Sequence, residues 1–348
     1  MADSKVMTVL GTISPESLGI TLPHEHLFSD IRFIKPKKEW TREKVTLNNL
    51  YKLKIDYISL SDNLILDSMS TSIKEVKRYR DLGGSTIVDV GSIGLGRKPL
   101  TLKKVSQKTG VNIIMGTGFY IKGGLSSSII NSSDTQLAKS IIQECQRGYK
   151  ETGIRPGIIG EVGVGPVIEE WDKRSLKLAC LVQKETGLPI TVHIQAVPVV
   201  EGFDTPNGLE VVSLLEKCGA DLSRTVIGHV DAQINLKYLK DLLATGVYIE
   251  FDHFGKEFYI AERNFFMSRD IERIEAIKEL VDSKFTNQIL ISSDICLKQD
   301  LTSYGGHGYA HILQSVVPIM KANGFTDDTI NKIVKDNPKR LLATKSTF

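Results

Sequence analysis

Leu188-Pro189-Ile190-Thr191-Val192-His193 is a short apolar, β-branched run that ends on an imidazole. A run of this length bounded by turn residues reads as a buried strand. The same pattern stands on either side. Upstream, residues 157–160 lead into Glu161, and downstream, residues 225–228 lead into His229. Farther out come the runs 19–23, 85–90 and 111–116, and then 247–251 and 288–292, which brings the count to eight. Polar–apolar patterns of helical period separate most of them, as at 135–149, 173–186 and 209–217.

Near-continuous apolar strands alternating with helices imply a parallel sheet covered by helices. Eight such units imply an α/β fold of the (β/α)8 TIM barrel kind rather than a doubly wound sheet, and residues 1–348 are expected to form one barrel domain. The longest connection, 26–83, includes a charged stretch around 39–66 that reads as helical. The Gly/Ser-rich stretch 123–133 reads as a mobile loop, and helices at 311–323 and 327–343 close the chain, the second capped by Thr326.

In such a barrel the active site forms at the C-terminal ends of the strands. The polar residues that interrupt the apolar runs fall there. The first strand ends in Pro23-His24-Glu25-His26, the fourth in Glu161, the fifth in His193, the sixth in His229, the seventh in Asp252-His253 and the eighth in Asp294. Residues i and i+2 of a strand face the same side, so His24 and His26 can share one metal ion. Imidazole and carboxylate suit zinc and similar divalent ions. Glu161 has two oxygens and can bridge two ions, His193 and His229 can hold the second, and Asp294 can both ligate the first and accept a proton from a bridging hydroxide. Each residue alone has a plainer reading: a polar rim histidine, a turn carboxylate at Glu161, a helix N-cap at Asp294. Together, four of the seven histidines and two carboxylates end five of the eight strands, which favours the metal reading.

Composition agrees with a small-molecule enzyme. Apolar residues make up 41% and the 44 basic and 41 acidic residues nearly cancel, so neither a nucleic-acid footprint nor a membrane span is expected. Lys35, Lys37 and Lys38 form the one basic run, read as a solvated loop. No leader of the secretory kind stands at residues 1–10, and the four cysteines include no C-x-x-C pair; Cys145, Cys180 and Cys218 read as small buried residues in helices. A cytoplasmic, reducing compartment is expected.

In order and spacing, His24-Glu25-His26, Gly160-Glu161-Val162-Gly163, Thr191-Val192-His193, Ile227-Gly228-His229, Phe251-Asp252 and Ser293-Asp294 resemble the phosphotriesterase family of the amidohydrolase superfamily. The resemblance covers about residues 7–343. It implies that His24, His26 and Asp294 bind the more buried of two divalent ions, that Glu161 bridges, and that His193 and His229 complete the second ion's shell. Zinc comes first, with manganese or cobalt as alternatives. Many members bridge with a carboxylated lysine; the fourth strand here has none, so the glutamate-bridged phosphotriesterase homology branch is the closer match. That branch's Gly-Lys-x-x-Tyr appears as Gly255-Lys256-Glu257-Phe258-Tyr259, and Gly305-Gly306-His307-Gly308-Tyr309 is a further likeness. A homodimer is also implied.

The resemblance further implies ester hydrolysis by a hydroxide bridging the ions, on a phosphorus or a carbonyl centre. Lys122, Lys256, Arg263 and Lys298, with Arg97 and Lys98, follow strand ends. Two or three of them converging would suit an anionic small molecule, so a phosphorylated sugar lactone is the expected substrate. A solvated-loop reading stands beside each one. Asp294 would pass the proton on, His253 would either relay protons or be structural, and Tyr120 and Tyr309 would shape the pocket. His307 and His311 read as structural. The alternatives are a phosphotriesterase or acyl-homoserine lactonase with an apolar pocket, and a metal-stabilised barrel that binds a partner.

Overall fold

The structure, a computed structural model, describes residues 4–34, 41–195, 197 and 206–345. Lys35, Lys37 and Lys38 lie outside the described residues. Eight strands form one sheet in sequence order: β1 (Ile20–Glu25), β2 (Gly84–Asp89), β3 (Asn112–Thr117), β4 (Ile158–Gly163), β5 (Ile190–His193), β6 (Thr225–Ile227), β7 (Tyr248–Phe251) and β8 (Ile289–Ile291). Each pairs in parallel with the next, with Ile87 beside Ile113, Ile190 beside Thr225 and Phe251 beside Ile291. β8 returns beside β1, where the Asp294 N–H donates to the His24 carbonyl at 3.2 Å. The barrel expected from the sequence is the fold observed.

Helices α1 (Met69–Asp81), α2 (Pro99–Thr109), α3 (Asp134–Arg147), α4 (Glu170–Thr186), α5 (Gly208–Lys217), α6 (Leu236–Ala244) and α7 (Asp270–Asp282) fill the connections. Their ends follow local chemistry. Ser68 accepts from Thr71 N at the start of α1, Ser133 and Gln136 form a capping box on α3, and Gly187 ends α4 with a left-handed φ of 68°. Their apolar stripes, including Val76, Leu102, Leu176, Leu242 and Ile277, are buried against Ile87, Ile113, Ile190 and Ile249. Each such side chain contributes roughly 1.5–3 kcal/mol by leaving water. At the other end of the barrel, Val6, Leu18 and Leu342 pack on Val88, Val90, Ile114 and Ile158. There the strands Ser4–Thr8 and Gly11–Ile13 pair antiparallel, and Thr344–Lys345 joins them.

Three local expectations are corrected. Of the charged stretch around 39–66, the described part is helical only at Leu50–Leu53 and the turn Ser61–Leu64 and ends in the strand Ile65–Leu66, because Asp62 and Asn63 are buried and bond across the chain instead of continuing a helix. The 123–133 stretch carries a helix, Ser127–Ile130. Cys145 and Cys180 are buried as expected, but Cys218 is exposed at the end of α5. Thr326 does cap the last helical segment, accepting from Thr329 N. Among the described residues no helix is long and apolar enough to cross a membrane.

Candidate metal centre

Strand ends bring six side chains to one point. His26 Nε2 lies 3.1 Å from Glu161 Oε1 and 3.1 Å from Asp294 Oδ1. His24 Nε2 lies 3.4 Å from Glu161 Oε2 and 3.8 Å from Asp294 Oδ1. On the other side of the same carboxylate, His193 Nδ1 is 3.1 Å and His229 Nε2 is 3.7 Å from Glu161 Oε2. The potential ligand atoms of His24, His26 and Glu161 lie within 4.8 Å of one another, and so do those of Glu161, His193 and His229. Glu161 belongs to both triads. All six are buried except His193, which is half-buried. His229 and Asp294 both have left-handed backbones, at φ 59° and 44°. Such conformations cost on the order of 1–3 kcal/mol each and concentrate at functional sites.

Whether this set fits metal ions can be judged from its unpaired atoms and its charge. His24 Nε2 is buried with no hydrogen-bond partner. Its other nitrogen, Nδ1, is held by Glu250 at 3.0 Å and Asp252 at 3.2 Å. An imidazole anchored by carboxylates on one side and bare on the other is the arrangement of a metal ligand. His229 is held likewise, its Nδ1 2.9 Å from Asp252 Oδ1. Burial would lower the His24 imidazole, but Asp252, Glu161 and Glu250 outweigh it and hold it well above its ordinary value. In the same way Asp294 and Glu161 overcome burial and push His26 up to about 10. Burial would raise Glu161, yet His193, His24 and His26 keep it well below the usual carboxylate range. The carboxylates thus call for more positive charge than neutral imidazoles supply, and the residues fit divalent cations.

Around this centre opens a cavity of about 890 Å³, mouth included. The walls are mostly apolar, with Ile31, Leu95, Ile121, Phe258 and Met267 among them. Tyr120 lines it, its hydroxyl 3.2 Å from His193 Nδ1. Lys256 lines it too and donates to Asp294 Oδ2 at 2.5 Å. His253 lies on the same wall, its Nδ1 2.8 Å from Asp231 Oδ1. Burial lowers the His253 imidazole despite Asp231, which favours the neutral form.

The other cations expected at the mouth are elsewhere. Lys298 is buried against Asp62 at 2.8 Å and does not line the cavity. Lys122 and Arg263 are exposed and outside the lining. Arg97 pairs with Glu144 at 2.6 Å, and Lys98 lies over the Phe28 ring. Tyr309 does not shape the pocket; its hydroxyl donates to the His26 carbonyl at 2.7 Å. His311 binds Asp270 at 2.6 Å and stacks on His307, away from the six.

Sequence reasoning named Asp252 as a strand-end residue but gave neither it nor Glu250 a role as a support. Glu250 and Asp252 stand at i and i+2 on the β7 edge and both reach His24 Nδ1; an acidic residue inside an otherwise apolar run was the available signal. Asp231 and Arg273 bond at 2.8 Å, with Arg273 fully buried on α7, and no local pattern marks that pair.

A parallel barrel with a histidine–carboxylate centre at the strand ends defines a hydrolase of the amidohydrolase kind. More narrowly, the chain belongs to the phosphotriesterase family, whose profile matches residues 4–342. That family is hydrolytic and generally depends on two metal ions. The chain is 36% identical over 367 residues to an N-acetyltaurine hydrolase of Dictyostelium discoideum, covering 97% of each. Among solved structures it resembles a resiniferatoxin-binding protein from Rhodobacter sphaeroides, with TM-score 0.91, 33% identity and 97% and 94% of the two chains covered. It also resembles a lactonase from Listeria monocytogenes, with TM-score 0.77, 27% identity and coverage of 97% and 98%.

Proposed function

We propose that this chain hydrolyses the acyl bond of a small N-acylated compound carrying one anionic group, with His24, His26, Glu161, His193, His229 and Asp294 holding two divalent ions, zinc foremost. The observation that carries the metal part is the bare, buried Nε2 of His24 facing the Glu161 carboxylate that both triads share. Bound there, two such ions supply Lewis acidity to the scissile carbonyl and acidify an attacking water.

The chain's own groups do the rest. Asp294 Oδ1 faces the histidines and takes the proton of the attacking water, while Lys256 on Oδ2 keeps the carboxylate ionised before attack. Asp294 then delivers that proton to the leaving nitrogen. His253, held by Asp231, receives protons on the cavity side. Tyr120, whose hydroxyl stands 3.2 Å from His193 Nδ1 at the cavity wall, would donate to the carbonyl oxygen, and the apolar walls exclude bulk water.

Likeness to an N-acetyltaurine hydrolase over nearly the whole chain supports an amide with an anionic tail. Among the described residues Lys256 is the one lysine or arginine lining the cavity, which suits a single anionic charge better than a phosphate dianion. The phosphorylated sugar lactone therefore has less support than the sequence alone gave it. Lactone opening is the second reading, favoured by the likeness to the Listeria lactonase, and it needs the same attack on a carbonyl.

The test is a panel offered to the zinc-loaded protein: N-acetyltaurine, N-acetyl amino acids, lactones with and without phosphate, and a phosphotriester. Preference for anionic N-acetyl compounds, abolished in Asp294→Asn and weakened in Lys256→Ala, is expected. Turnover of lactones alone would overturn the amide reading, and turnover of nothing by protein holding two ions would favour a binding role.

A further inference from the structure

The residue between the two histidines of the first strand points the other way, and what it touches is the loop that carries Asp294. Glu25 is fully buried. Its Oε1 accepts from the Ser293 N–H at 2.9 Å and its Oε2 from the Ile295 N–H at 2.8 Å. These N–H groups belong to the residues on either side of Asp294, so one carboxylate straddles the residue whose backbone is left-handed. The Ser292 hydroxyl lies 2.8 Å from both Glu25 Oε1 and the His24 carbonyl, and accepts from His24 N–H at 3.2 Å. Among the described residues no strand ladder pairs β8 with β1. The seam of the barrel is closed here by the Glu25 carboxylate, the Ser292 hydroxyl and the single bond from Asp294 N–H to the His24 carbonyl.

We infer that Glu25 is a positioning residue: it fixes Asp294 against His24 and His26, and so sets the geometry of the ion these three share. The inference rests on reading those three as metal ligands. The physical reason is that a φ of 44° is not a resting conformation for aspartate. Without the clamp the turn relaxes, and Asp294 Oδ1 leaves its place 3.1 Å from His26 Nε2. Strand alternation makes the arrangement economical. His24 and His26 face the ion, and Glu25 faces the seam, so one tripeptide supplies two ligands and orients a third. Among the described residues Glu25 has no hydrogen bond to Glu161, His193 or His229, so the second ion should feel it far less.

Cobalt(II) titration of the metal-free full chain, followed by the visible absorption of the bound ion, tests this without turnover. Two binding phases are expected for the parent protein. Glu25→Gln should weaken one phase roughly tenfold to a hundredfold, as loss of an outer partner of a metal ligand does, and leave the other in place. Asp294→Asn should weaken that same phase, and the double variant should be no weaker than Asp294→Asn alone, because the two changes act through one ligand. Should Glu25→Gln fail to fold, Ser292→Ala removes the hydroxyl contacts to Glu25 and to the His24 backbone but keeps both N–H bonds of the Glu25 carboxylate, and should shift the same phase by less. Equal weakening of both phases, no weakening of either, or additive losses in the double variant would overturn the positioning role while leaving the metal site standing. A parent protein that binds no cobalt would overturn both.

Discussion

The Lys256 ammonium sits 2.5 Å from Asp294 Oδ2, and both side chains are buried. Removing one member of a buried pair leaves the other charge unpaired, at a cost of about 3–5 kcal/mol. Asp294 differs from most such partners because its other oxygen faces the histidines and the ion they would share. Lys256→Met should therefore cost several times more stability in metal-free protein than in metal-loaded protein, where an ion still compensates Asp294. Urea denaturation of both forms with and without excess zinc checks this. Equal losses in the two states would mean that Asp294 does not contact the ion.

Gly228 precedes His229 and lies directly under the centre. A Cβ there would stand 2.8 Å from Asp252 Oδ2 and 3.5 Å from His24 Cε1. Asp252 must then move, and it is the residue holding both His24 Nδ1 and His229 Nδ1. Gly228→Ala should fold but bind zinc roughly tenfold to a hundredfold more weakly, with a matching fall in turnover at limiting metal. Competition with a chromophoric chelator measures it, and unchanged affinity would show that Asp252 does not set these two ligands.

The barrel and the six side chains gathered at its strand ends were legible because strand period and strand ends are local: an apolar run followed by His, Glu or Asp is visible without any knowledge of packing. Most of the cations were not: of those expected, Lys256 alone lines the cavity among the described residues. Lys298 follows β8 as expected of a substrate residue, yet it turns to Asp62, 236 positions away in sequence, and no local rule foretells that partner. Glu25 was hidden for a different reason. It sits inside the motif that drew attention to its neighbours, and alternation sends it to a face where the sequence offers no pattern to read. Arg273 shows the same limit on a helix, since a buried arginine at helical spacing looks like a solvated one until Asp231 and Asp270 are placed beside it.

Asp300 gives a pH signature that belongs to the fold rather than to the ligands. Its Oδ2 is buried without a partner, and burial, only partly offset by Lys256, pushes the carboxyl up to about 6 from an ordinary 3.8. A folded pKa above the unfolded one stabilises the protein below the unfolded value, and that stability is lost as pH rises through the folded value. The window is thus about pH 4 to 6, and the loss is on the order of 3 kcal/mol at most. Asp300→Asn should be more stable than the parent protein above pH 6 and no more stable near pH 4. Denaturation midpoints at pH 4, 6 and 8 check the sign, and a variant less stable at pH 8 would refute it.

Arg273 ties the proton-handling side of the cavity to the barrel wall. Its Nε donates to Asp231 Oδ2 at 2.8 Å and its Nη1 to Asp270 Oδ1 at 3.0 Å, all inside the protein. Asp231 in turn orients His253, and its carboxylate is held below its ordinary value because His253 and Arg273 outweigh burial. Arg273→Met fills the volume but takes the permanent charge away from two buried carboxylates, leaving Asp231 to His253 and Asp270 to His311, so a loss of about 3–5 kcal/mol in stability is expected. It also removes the competitor for Asp231, so His253 becomes the only cationic partner that carboxylate can recruit. Its imidazole should then titrate higher than in the parent protein. NMR titration of the His253 ring should show the upward move, and the acidic limb of the turnover profile should shift to higher pH if His253 must be neutral to receive protons. An unmoved His253 with the same stability loss would reduce Arg273 to a structural brace.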